Sequence, residues 1–240
     1  MAPAVVAHIP RQTLARITGC LYLAFAGALF VADLFGFGVG ETLTTDATQF
    51  DLGLTFGVLS AFLFAMAAWG LYLLLEPVNR GLALLFLLLN AIGVAIQVAS
   101  YVPLIFVMLS TDTASFSAAF SAEQLGSMQA LSLDLYKLSF VTAQLFFGTW
   151  LFPLGYLIYK SGFLPRFLGV LLILDGFAIV LWFFQAILLP DNPELSYPGL
   201  ALSLIAEVAL GLWLLLKGTD EPVGGKTTAP LSESLTKARV

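Results

Sequence analysis

Asn90, Asp175 and Glu207 stand inside long runs of Leu, Ile, Val and Phe. Asn90 follows the basic anchor Arg80 by ten residues, Asp175 follows Arg166 by nine, and Glu207 precedes Lys217 by ten. In a helix that rises roughly 1.5 Å per residue, these spacings put all three about 14–15 Å from one membrane face, near the midplane. A carboxyl group at that depth costs about 2.5–3.5 kcal/mol on insertion scales, so it calls for an explanation. With no Lys, Arg or His at the same depth, it either keeps its proton or holds a cation or the cationic end of a ligand. The plainer alternative is structural: hydrogen-bonded glue between helices, shared with Ser and Thr hydroxyls.

A second polar group falls nearer the opposite face. It comprises Asp33, Asp51, Gln97, Asp134, Lys137 and Gln144, with Gln185, Tyr101 and Tyr136 close by. Asp134 and Lys137 are three residues apart and share a helix face. Carboxylates gathered about one lysine would form a vestibule open to the outside. Here too a bland alternative stands, in which the acids lie among lipid headgroups and Lys137 snorkels outward.

The elements that position these residues follow from composition. Of 240 residues, 60% are hydrophobic and only 10% charged, with a mean hydropathy of +0.97. A soluble domain is about a quarter charged, so lipid rather than water is the main solvent here. Six apolar segments reach membrane-spanning length, near 14–36, 53–75, 81–108, 134–159, 165–189 and 199–216. Pro and Gly punctuate the tight turns at Glu76-Pro77-Val78-Asn79-Arg80 and Lys160-Ser161-Gly162-Phe163-Leu164-Pro165-Arg166. Ser121-Ala122-Glu123-Gln124 has the form of a capping box, so a helix is expected to begin there and feed the fourth span.

With six crossings, nine of the ten basic residues fall on one side, Lys137 being the exception. By the positive-inside rule that side is the cytoplasm, and both termini lie in it. The fold class is therefore all-α, an integral membrane bundle of six transmembrane helices. Residues 1–13 form a cytoplasmic N-terminal arm, 14–218 the transmembrane domain, and 219–240 a disordered cytoplasmic tail rich in Gly, Pro, Ser, Thr and Lys. Small-residue ladders at Ala24/Ala28, Ala61/Ala65 and Ala91/Ala95/Ala99 are expected to bring helices together.

Several chemistries are set aside. One Cys and one His supply no disulfide framework, no multi-ligand Cys/His metal site and no zinc hydrolase motif. No nucleophile elbow or phosphate-cradling glycine loop is present. Net charge −5 and a pI near 4.7 speak against nucleic acid as a partner. The sequence accordingly points to no catalytic residues, metal ligands or cofactor, and an enzyme is the less favoured reading.

The run Gly155-Tyr156-Leu157-Ile158-Tyr159-Lys160-Ser161-Gly162-Phe163-Leu164-Pro165-Arg166-Phe167-Leu168-Gly169 is distinctive. It resembles the signature of a bacterial membrane family known only as domain of unknown function 4386. Arg16-Ile17-Thr18-Gly19, Pro77-Val78-Asn79-Arg80-Gly81 and Phe147-Gly148 extend the likeness over nearly the whole chain up to the tail. The resemblance implies a six-helix protein of the bacterial inner membrane and brings no activity, ligand or catalytic residue with it.

The expectation is thus a multi-pass inner-membrane protein of unassigned activity, binding a small molecule, lipid headgroup or cation in a polar pocket within the bundle. Asn90, Asp175 and Glu207 are its midplane candidates, and the residues from Asp33 to Gln144 its outer ones. Two alternatives stand beside it: a non-catalytic scaffold that binds partner helices or itself, and a proton- or cation-coupled carrier.

Overall fold

Helix starts and stops follow local side-chain chemistry. The computed structural model describes residues 9–35, 37, 46–112 and 119–219. Asp46 caps the second helix by accepting from the Gln49 backbone N–H at 2.9 Å, and Asn79 serves the third by accepting from Leu82 at 3.0 Å. The Ser121 capping box forms in full: the Ser121 hydroxyl accepts from Gln124 N–H, and the Gln124 side chain accepts from Ser121 N–H. Gly162 ends the fourth helix with a φ of 73°, a left-handed conformation that favours glycine.

The resulting elements are α1 (Arg11–Leu34), α2 (Ala47–Leu75), α3 (Arg80–Asp112), α4 (Ala122–Ser161), α5 (Arg166–Leu188) and α6 (Tyr197–Leu216), with a 3-10 turn at Pro193–Leu195. Six helical segments are long and apolar enough to cross a membrane, the last of them α6 with the 3-10 turn before it, so the chain is a multi-pass membrane protein. Each helix packs against its neighbours in sequence, and α6 returns to α1. The six therefore close into an up-and-down ring.

One end of the ring gathers the basic residues. Gln12 donates to the Lys217 carbonyl at 2.7 Å and accepts from the Thr219 N–H at 2.8 Å, tying α1 to the exit of α6. The Arg11 guanidinium lies 4.7 Å from the Phe163 ring centroid, which brings the α4–α5 turn to that end. Thr18 against Gly70 brings the last turns of α2 there as well. Lys137 belongs to the other, acidic end.

Glycines seam the basic half. A Cβ placed on Gly155 would lie 2.6 Å from the Gly169 carbonyl oxygen, and one on Gly176 would lie 2.9 Å from that of Gly148, so α4 and α5 touch backbone to backbone. Gly19 meets Gly211 and Leu214–Leu215 in the same way between α1 and α6. Inside, Phe64 is a hub, stacked on Phe25 at 4.1 Å and edge-on to Trp150 at 5.1 Å. Outside, Phe62, Phe177 and Leu204 are exposed, as a surface facing lipid tails requires.

The structure departs from the sequence reading in three places. The helices overrun the apolar segments at the acidic end: α2 begins at Ala47 rather than 53, α3 runs to Asp112, and α4 begins at Ala122 rather than 134. Hydropathy marks bilayer thickness, whereas helix length follows backbone hydrogen bonding and caps, so polar residues such as Asp51 and Asp134 end the former without ending the latter. At the other end α1 begins at Arg11, inside the segment read as an arm. The Ala91/Ala95/Ala99 ladder faces outward, all three residues being exposed, while Ala61 is buried. Residues 1–8 of the arm and the tail from 220 onward lie outside the described residues.

Candidate functional site

The seams of the basic half do not continue to the acidic end, and the ring opens there into two adjoining spaces. The inner one is a chamber of about 390 Å³ to which all six helices contribute lining residues. That volume falls in the usual range for small-molecule sites. Its walls are aromatic: Phe25 from α1, Phe64 from α2, Phe140 and Phe147 from α4, and Trp182 from α5. Phe30 of α1 and Leu204 of α6 line it too, yet they are 65% and 66% exposed on the outside of the ring. The chamber therefore opens sideways, towards lipid, between α1 and α6.

Its polar features are few. Glu207 lines the wall on α6, and Ser203, one turn earlier on the same face, lines it beside Glu207. The Ser203 hydroxyl donates to Asp175 Oδ1 on α5, with the Gly199 carbonyl as its alternative acceptor at 3.1 Å. Asp175 is fully buried behind this serine, and its Oδ2 has no hydrogen-bond partner among the described residues. The two carboxyl groups interact electrostatically. The Tyr22 hydroxyl on α1 is also buried and unpartnered, within electrostatic reach of both acids. A buried polar atom left without a partner costs about 1–3 kcal/mol, so Asp175 Oδ2 and the Tyr22 hydroxyl hold unspent binding capacity.

Asn90 stands apart. It is fully buried on α3, between the level where Phe86 meets Trp150 and the level where Gly93 receives Phe147. Neither its amide nitrogen nor its oxygen has a hydrogen-bond partner among the described residues, and it is not among the chamber's lining residues. The three residues expected at one depth thus do not share a location.

The outer space is a vestibule of about 770 Å³. Asp134 and Lys137 of α4 line it together with Asp33 of α1, Gln185 of α5 and the 190–200 connection. Asp33, Phe140, Trp182 and Leu200 line both spaces, which places them side by side. Gln97 and Gln144 belong to the chamber rather than the vestibule; Gln97 donates to the Tyr101 hydroxyl at 3.3 Å, and Gln144 to the Phe140 carbonyl at 3.4 Å. Asp51 is exposed in the first turns of α2 and lines neither space.

Sequence reasoning missed Ser203 and Tyr22. Ser203 carries a readable signal, since it precedes Glu207 by four residues on an otherwise apolar face. Tyr22 carries none beyond its place in the first span, where a tyrosine reads equally well as packing.

A family model described as "Domain of unknown function (DUF4386)" matches residues 17–218. An uncharacterized protein of Archaeoglobus fulgidus is 27% identical over 156 residues, covering 63% of this chain and 74% of that one. No solved structure matches the chain.

Proposed function

The chain belongs to the DUF4386 family, and we propose that it binds a small amphiphilic ligand in the central chamber, admitted sideways from the bilayer between α1 and α6. The observation that carries this reading is the chamber itself: an aromatic-walled space reached by all six helices, with Glu207 and Ser203 on one wall, Asp175 buried behind the serine, and a lipid-facing mouth. An apolar body suits the aromatic walls, and a polar end suits Glu207, Ser203 and the buried Asp175 behind them. The concentration of Arg and Lys at one end of the ring supports a cytoplasmic placement of both chain ends in a bacterial inner membrane.

A carrier is the second reading. It is favoured by the shared walls of chamber and vestibule, set against glycine seams that close the basic half. That is the shape of a site open towards one side only, as alternating access requires. The outward Ala91/Ala95/Ala99 stripe lends some support to the scaffold alternative, as a surface for another helix.

The test compares the wild-type protein with Ala26→Phe, which places a ring in the chamber lining, after purification in native lipid particles. Mass spectrometry of the extracted small molecules should show a species retained by the wild type and lost from a folded Ala26→Phe variant. The same extract from both would overturn the proposal.

A further inference from the structure

We propose that the chamber selects organic monocations, with Glu207 and Asp175 as the counter-charge and the aromatic walls as the seat of the cation's body; this rests on the ligand-binding reading above. Among the described residues no Lys, Arg or His lines the chamber, while Glu207 and Asp33 do. The charged chemistry of the space is therefore of one sign. An anion would meet the Glu207 carboxyl on α6 with no basic side chain in the chamber lining to offset it, since Lys137 lines the vestibule instead.

The walls point the same way. Phe25 and Phe64 stack at 4.1 Å, Phe64 meets Phe147 at 5.2 Å, and Phe140 faces Trp182 at 6.4 Å, so ring faces and edges surround the space on several sides. Aromatic faces attract a cation through their quadrupole, most strongly where water is excluded, and indole does so best. An ammonium or phosphonium centre wrapped in carbon groups satisfies both features. It is soluble enough in the bilayer to arrive through the α1–α6 mouth, and its charge is matched on arrival.

A bare acidic cluster would say much less. Here Asp175 is fully buried behind Ser203, and among the described residues its Oδ2 and the Tyr22 hydroxyl, within electrostatic reach of both acids, have no hydrogen-bond partner. Behind the Glu207–Ser203 wall, part of the bonding capacity is uncommitted. Ser203 links the buried acid to the chamber surface, so charge held on Asp175 is felt where a ligand would sit. Depth gives the reason for such a device. Near the midplane a lone charge is costly for either partner, and a carboxylate facing an organic cation lets both enter together at far lower cost.

The test uses two probes of nearly the same shape and opposite charge, tetraphenylphosphonium and tetraphenylborate. Each is equilibrated by dialysis with the full-length protein in a neutral maltoside micelle. Tetraphenylphosphonium should bind saturably, and tetraphenylborate should show no more than micelle background. Glu207→Gln should weaken phosphonium binding at least about tenfold, as loss of a close counter-charge in a low dielectric implies. Asp175→Asn keeps an acceptor for the Ser203 hydroxyl, so it stands in if the first variant does not fold. Equal binding of both ions, each lost in Ala26→Phe, would overturn the cation assignment and leave the chamber as a ligand site. If neither ion binds and Ala26→Phe leaves the co-purified extract unchanged, the chamber reading falls as well.

Discussion

The two halves of this ring are built on opposite principles from the same helices. Between α4 and α5, Gly155 touches Gly169 in the basic half and Gly148 touches Gly176 beside Asp175, while the acidic end of the same pair parts into a vestibule lined by Lys137 and Gln185. Between α1 and α6, Gly19 meets Gly211 in the basic half, and Phe30 and Leu204 part around the chamber mouth in the other. In lipid, helices gain nothing from burying apolar surface against one another, so close backbone contact is what holds them. In these two pairs the helices separate where such contacts end. The contrast teaches that the space between them comes from withholding contact residues, the described helices running on past it.

The largest effect should come from adding one methyl group to a seam. In Gly155→Ala the new Cβ meets the Gly169 carbonyl oxygen, a backbone atom that moves only if the helix moves. The expected cost is about 2–3 kcal/mol, read as a marked fall in thermal unfolding temperature in detergent. A variant as stable as the wild type would break the contrast between the halves.

Asn90 sharpens it next. A fully buried amide with both ends unpartnered among the described residues is a liability to the core, so Asn90→Leu, close in volume, should raise stability by about 1–2 kcal/mol in the same assay. A fall instead would mean that the amide has a bonding role in the closed half. At the acidic end, Ser121→Ala removes one side of a complete capping box and should cost about 1 kcal/mol, with hydrogen exchange quickened only in the first turns of α4. The smallest change belongs to Gly27→Ala, where a Cβ meets nothing within 4 Å. It should shift stability by less than about 1 kcal/mol, upward if at all, since alanine favours helix. The same substitution thus reads oppositely in a seam and on an open face.

Much of the fold was legible because lipid makes simple demands. Apolar length located the six spans, Pro77, Gly162 and Pro165 marked the tight turns, and Ser121 with Gln124 announced the start of α4. For the candidate site the sequence offers an expected depth, counted as helical rise from Arg80, Arg166 and Lys217. Direction around the ring was not legible. Asn90 and Glu207 are expected at one level, yet one is sealed between α3 and α4 while the other faces the chamber, a difference set by neighbours that no single-helix pattern names. The Ala91/Ala95/Ala99 stripe turned outward for the same reason, since small size permits a close approach without choosing its partner.

The ring's seams join helices that follow one another in the chain, all but the last. During synthesis each hairpin can settle on the one before it as it leaves the translocon, with little wait for distant partners. The α1–α6 seam is different: Gly19 must find Gly211, and Gln12 must find Thr219, after everything between them has been made. A ribosome stalled before α6 would therefore leave a five-helix arc whose first helix shows a bare glycine edge, and it is this late clasp that turns the arc into a vessel.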